Sequence, residues 1–161
     1  MNINVRSMTK QDIQSVQRVA KTSWNTTYEG IIPVEIQENF IHTAYSDEML
    51  EKRLLNTVFL VAEIDGEIIG FVNFIPLKNE SKVELGAIYL YKEYQEKGIG
   101  TALLDEGIKL FPNVKKVYVN VEKENESGLS FYKARGFVIE TEYDDLFDGH
   151  MLKTVRMILH L

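Results

Sequence analysis

Cysteine is absent from the chain. Disulfides, thiolate nucleophiles and sulfur-built zinc sites are therefore excluded. Histidine is scarce, and His42, His150 and His160 lie too far apart in sequence to read as a metal cluster, so no metal is expected. No apolar stretch approaches the roughly 18 residues of a membrane span. The first residues, Met1-Asn2-Ile3-Asn4-Val5-Arg6, carry no apolar run behind a basic patch, so a signal peptide is not expected and the cytoplasm is the default compartment. Positive charge is the minority sign. The formal net charge is -6, and no basic patch dominates, which argues against a nucleic-acid partner. The acidic excess fits solubility, or attraction of a cationic small molecule.

What is present reads as one domain over residues 1–161. Hydrophobic residues make up 45% and charged residues 26%, an ordinary globular mixture. A chain of 161 residues buries well over half of its unfolded surface. Repeats, low-complexity tracts and Pro/Gly/Ser linkers are missing. Residues 2–7 alternate as a first strand. Thr9 then caps a helix with Asp12 at the third position and Ile13, Val16, Val19 and Ala20 as its apolar stripe. This helix is expected to fade near Trp24–Tyr28. Pro33 opens a second helix carrying Ile36, Phe40 and Ile41. Ser46 caps a third, with Leu50, Leu54 and Leu55 expected to face inward. The period then changes. Val58–Ile64 and Ile68–Ile75 flank Asp65-Gly66, a tight hairpin turn. Residues 82–91 form a strand, and Gly98–Phe111 a helix packing through Ile99, Ala102, Leu103, Ile108, Leu110 and Phe111. Val114–Val121 is a strand, and Asn125–Arg135 a helix stopped by Gly136. Phe137–Glu142 and Leu152–His160 close the chain as strands. The order implies one β-α-β crossover within a mostly antiparallel sheet, an α+β fold.

Two stretches carry chemistry. In Gln95-Glu96-Lys97-Gly98-Ile99-Gly100-Thr101, a strand runs through a charged turn into a helix opened by two glycines. Helix-start N–H groups and the absence of Cβ atoms let a diphosphate approach closely. The loop lacks the Gly-Lys-Ser/Thr ending of a Walker loop. It also lacks the third glycine, and the place in the chain, of a dinucleotide fingerprint. The second stretch is Asn125-Glu126-Ser127-Gly128-Leu129-Ser130-Phe131-Tyr132. Asn125 and Tyr132 stand seven residues apart, about two helical turns, and share a face. Asn125 also reads as a plain helix cap and Tyr132 as a core aromatic.

These residues, with Leu85-Gly86-Ala87-Ile88-Tyr89-Leu90 before them and Gly136-Phe137 after, resemble the Gcn5-related N-acetyltransferase (GNAT) superfamily. The Q-x-x-G-x-G loop and the N-x-x-(small)-x-x-x-Y-x-x-x-G-F stretch stand in that family's order and spacing. Trp24-Asn25-Thr26-Thr27-Tyr28-Glu29-Gly30-Ile31-Ile32-Pro33 is similar to a segment of many bacterial members. The resemblance implies the GNAT fold, α+β, with a mixed, mostly antiparallel central sheet of about six to seven strands, flanked by helices and splayed at its centre. It implies an acyltransferase with acetyl-CoA as donor. Main-chain groups of Ile88, Tyr89 and Leu90 would hold the pantetheine arm. Gln95, Glu96, Lys97, Gly98, Ile99, Gly100 and Thr101 would hold the pyrophosphate. Asn125 and Ser127 would contact the cofactor, and Tyr132 would lie by the sulfur as general acid. A glutamate base of some relatives falls at Asn120, which cannot serve. Glu84 is the next candidate base, through water, and equally reads as a surface carboxylate.

The acceptor side is expected at the early helices and last strands. Trp24 and Tyr28, four apart, are candidate substrate contacts or packing residues. Glu29, Glu35, Glu38, Asp144, Asp145 and Asp148 fall near the same opening, and His150 follows a Gly turn there. The expected acceptor is a primary amine of a small molecule, with a polyamine favoured by likeness to spermidine/spermine-type enzymes. A protein or peptide N-acetyltransferase and a non-catalytic acyl-CoA sensor are the rivals. No membrane partner is expected, and the resemblance makes a homodimer a common assembly.

Overall fold

A computed structural model describes residues 2–161. The elements are β1 (Ile3–Ser7), α1 (Ile13–Tyr28), α2 (Val34–Ala44), α3 (Asp47–Asn56), β2 (Val58–Ile64), β3 (Glu67–Pro76), β4 (Lys82–Leu90), α4 (Ile99–Lys109), β5 (Lys116–Glu122), α5 (Glu126–Ala134), β6 (Val138–Phe147) and β7 (His150–His160). Local chemistry sets the early boundaries. The Asp12 carboxylate accepts the Thr9 backbone N–H at 2.8 Å and its hydroxyl at 3.2 Å, closing a one-turn 3-10 helix that leads into α1. Ser46 accepts the Met49 N–H at 3.2 Å and starts α3. Asp65 and Gly66 both take positive φ, 51° and 80°, as the β2–β3 turn requires.

The seven strands form one sheet in the order β1-β2-β3-β4-β5-β7-β6. All neighbours are antiparallel except β4 and β5. That parallel pair is the crossover made by α4. Its register holds only from Lys82↔Lys116 to Leu85↔Val119. Beyond Leu85, β4 runs on to Leu90 beside β3 alone, while β5 continues to Glu122 beside β7. The two strands therefore splay. A register slip between Asn73 and Phe74 leaves Gly86 without a partner at the point of divergence. A Cβ on Gly86 would stand 2.9 Å from the Ile75 side chain, so this bulge suits glycine.

Each face of the sheet has its own core. One is covered by α4 and α5, where Ile99, Leu103, Leu104, Tyr132 and Phe137 pack on Phe74, Val83, Leu85, Val117 and Val119. The other is covered by α1 and α3, where Val16, Val19, Ala20 and Leu50 pack on Phe59, Val61 and Phe71. Two expected inward residues point out instead. Leu55 is 85% exposed and Leu110 is also exposed. Leu50 and Leu54 lie one turn apart and claim the inner stripe of α3, which rotates Leu55 away. Leu110 follows the last turn of α4 and escapes its stripe. The final hairpin is also longer than its alternation shows. β6 continues through Tyr143-Asp144-Asp145-Leu146, an exposed edge strand whose charges face water.

Candidate active site

The splay opens a cleft of about 590 Å³, within the usual range for small-molecule sites. Its walls are Gly86–Leu90 of β4, Val119–Val121 of β5, the start of α4, one face of α5, and Ser23, Thr27 and Tyr28 of α1. The free edge of β4 offers main-chain groups that β5 no longer pairs. Ser23 of α1 ties that edge in place, donating its hydroxyl to the Leu90 carbonyl at 3.3 Å.

At one end lies the glycine turn. A 3-10 turn at Lys92–Tyr94 leads to Gln95. Glu96 and Gly98 take positive φ, 61° and 84°, and Ile99 begins α4. The first backbone bond into α4 runs from Ala102 N–H to Gly98 C=O. The N–H groups of Ile99, Gly100 and Thr101 are thus the orphan donors of a helix start. The two glycines serve different ends. At Gly98 a side chain would have open space, but the φ disfavours one, whereas a Cβ on Gly100 would meet the Phe131 ring at 3.0 Å. Gly100 lets α4 and α5 close on each other. Gln95, Glu96, Gly98, Gly100 and Thr101 line the cleft, while Lys97 and Ile99 are not among the lining residues.

The facing wall is α5. Asn125 caps it, accepting the Gly128 N–H at 3.0 Å. A Cβ on Gly128 would stand 2.6 Å from the Asn125 amide, which keeps this position small. Asn125, Ser127 and Tyr132 all line the cleft. Tyr132 is 8% exposed, set edge-on between Phe131 and Phe137 at 5.4 and 5.3 Å. Burial, with Tyr28 nearby, pushes its phenol well above the ordinary range, so it holds its proton at neutral pH.

Tyr28 and Tyr89 complete this inner corner. Burial raises the Tyr28 phenol, and side-chain hydrogen bonding to Tyr89 and Asn125 works against that rise. Tyr89 is raised well above the usual value, chiefly by burial. Gln37 fixes the turn behind Tyr28, donating to the carbonyls of Tyr28 at 3.2 Å and Ile32 at 2.8 Å. Trp24 does not line the cleft. It packs in an aromatic cluster, stacked on Phe40 at 4.2 Å, tilted on Tyr28 at 4.5 Å and near Phe147 at 6.1 Å. Through Phe147 this cluster anchors the β6–β7 hairpin tip, and Asn39 adds a bond to Asp148 at 3.4 Å.

Glu84 sits where the strands are still paired and is not among the cleft-lining residues. Arg156 of β7 grips both of its carboxylate oxygens, at 3.1 and 2.9 Å. The same guanidinium donates to Asn120 Oδ1 at 2.9 Å and lies 4.6 Å over the Tyr118 ring. Glu122, at the far end of β5, is nearly buried. Burial raises its pKa, and the Glu124 N–H, donated to it at 2.6 Å, opposes that rise. Ser23, Thr27, Phe131 and Arg135 join the cleft without having been expected there from sequence. Ser23 and Thr27 lie four apart, one position before Trp24 and Tyr28, and this polar stripe beside an aromatic one is the signal that marks them.

A strand edge without a partner, ending at a helix N-terminus, suits an extended thioester arm with a diphosphate at its end. Such a site fits a coenzyme A-dependent acyltransferase. Residues 21–137 match the Acetyltransferase (GNAT) family, and the chain belongs to that family as an N-acetyltransferase with acetyl-CoA as donor. It is 34% identical over 148 residues to a spermidine N(1)-acetyltransferase of Thermoplasma acidophilum, covering 87% of this chain and 91% of that protein. It is also 34% identical over 162 residues to the N-acetyltransferase YuaI of Bacillus subtilis, covering 96% and 91%. Among solved structures, the PaiA N-acetyltransferase of Thermoplasma acidophilum in complex with coenzyme A superposes with a TM-score of 0.86 at 30% identity, covering both chains completely. No helix among the described residues is long and apolar enough to cross a membrane.

Proposed function

We propose that the protein acetylates a primary amine of a small molecule, with a linear polyamine as the preferred acceptor. The likeness to the Thermoplasma spermidine N(1)-acetyltransferase carries this reading of the acceptor. The acidic outer strand supports it. Glu140, Glu142, Asp144 and Asp145 stand exposed along β6, the outer edge of the sheet, with Glu142 paired to Lys123 and Glu140 near Arg156. A polycation is drawn to such a rim.

Bound acetyl-CoA supplies a thioester acyl group that an amine can attack directly. The chain's residues then have four tasks. The α4 N-terminus and the turn before it bind phosphate. The Ile88–Leu90 edge aligns the arm by main-chain hydrogen bonds. Tyr132, protonated at neutral pH, donates to the departing sulfur as its bond to carbon breaks. Water at the open end of the cleft takes the proton that the amine loses. Glu84 enters this scheme as the holder of Arg156 beside Asn120, since both of its oxygens are already engaged. Tyr28 borders the acceptor, and Trp24 supports Tyr28 and the hairpin tip from behind.

An amine panel with acetyl-CoA, read by thiol release, tests the proposal. Spermidine and its linear analogues are expected to give the highest kcat/KM. Turnover of peptide N-termini with no turnover of free amines would transfer the enzyme to the protein-modifying class. Acetyl-CoA binding with no transfer to any amine or peptide would make it a sensor.

A further inference from the structure

We propose that Arg135 is a phosphate-recognition residue for coenzyme A, lying outside the Gln95–Thr101 loop. Arg135 closes the C-terminal end of α5, and its side chain reaches across to α4. The guanidinium rests on the face of Phe131, 5.3 Å from the ring centre, and donates to the Thr101 hydroxyl. Thr101 is the third residue of α4, beside the free helix-start N–H groups. Arg135 is thus held in place by an aromatic face and a hydroxyl, neither of which neutralises it. Among the described residues it forms no ion pair with a carboxylate.

Charge makes this position matter. Among the described residues, Arg135 is the one cation that lines the cleft, whose lining also includes Glu96 and Glu126. Lys97, the cation within the loop itself, is not among them. A chain of net charge -6 must here accept a donor carrying a diphosphate and a 3′-phosphate. A planar guanidinium with N–H groups to spare suits a phosphate oxygen pair. A role confined to the helix would be to complement the α5 dipole, and that role would leave coenzyme affinity unchanged.

Calorimetric titration of the whole chain with coenzyme A and with 3′-dephospho-coenzyme A, in the absence of any amine, tests the proposal. No acceptor is present, so failure of the polyamine reading leaves this result intact. Arg135→Met is expected to weaken coenzyme A binding about tenfold and to flatten its salt dependence. Arg135→Lys, which keeps the charge, is expected to recover part of the loss. A loss confined to coenzyme A assigns the contact to the 3′-phosphate, and an equal loss for both ligands assigns it to the diphosphate. Thr101→Val, which removes the hydroxyl hold on the guanidinium, is expected to give a smaller loss of the same pattern. If Arg135→Met, or failing that Arg135→Lys together with Thr101→Val, binds both ligands as the parent does, the proposal is overturned.

Discussion

At the scale of single residues, the sharpest question concerns which side chains handle protons. Tyr132 is buried and keeps its proton at neutral pH. Tyr132→Phe removes one oxygen and leaves the ring packed between Phe131 and Phe137. It is expected to lower kcat by about 100-fold while changing the acetyl-CoA Kd by less than about twofold. A kcat unchanged at saturating substrates would remove Tyr132 from the acid role. Glu84 asks for the opposite measurement. Glu84→Gln leaves the partly buried Arg156 charge with only the longer Glu140 carboxylate contact, at 3.9 Å, among the described residues. A stability loss of about 1–2 kcal/mol is expected, discounted for partial exposure. The rise of kcat/KM with pH should keep its shape, because it follows the amine's own ionisation. If the rise is lost or displaced, Glu84 is the proton acceptor after all. The local placement of single residues could be read from sequence: Gly98 stands at the start of α4, Asn125 caps α5, and Tyr132 follows two turns later on the same helix. The Glu84–Arg156 pair could not. Its members lie 72 residues apart, and their meeting depends on the order β4-β5-β7.

At the scale of elements, capping and turn chemistry announced most boundaries. Thr9, Pro33, Ser46, Asp65-Gly66, Asn125 and Gly136 each stand where the backbone changes state. The outer half of β6 escaped, since an exposed edge strand with charged residues on both faces has no apolar alternation to betray it. That strand matters for the acceptor side, because the hairpin tip is tied to α1 and α2 through Phe147, Leu152 and the Asn39–Asp148 bond. Phe147→Ala should release the tip. The expected results are a stability loss of about 2 kcal/mol for a half-buried ring and a severalfold rise in amine KM, with acetyl-CoA affinity unchanged. A matching loss of acetyl-CoA affinity would show that the hairpin supports the donor side as well.

At the scale of the whole molecule, charge and strand order act together. The net charge is -6, and β6 places part of the acidic excess at the sheet's outer edge. If a polycation is drawn in by this field, KM for spermidine should rise steadily between low and physiological ionic strength. A KM indifferent to salt would leave recognition to close contacts alone. The splay between β4 and β5 has a different reach. The short pairing of Lys82–Leu85 with Lys116–Val119, extended by the Lys115 and Lys116 N–H bonds to Ser81, stitches one half of the sheet to the other. A donor lying along the open edge would act as a mortar between two walls. By linkage, a ligand at a hundredfold excess over its Kd adds about 2.7 kcal/mol to folding stability. The donor would then be a fastener of the fold as well as a reactant, and the melting temperature should climb with acetyl-CoA concentration.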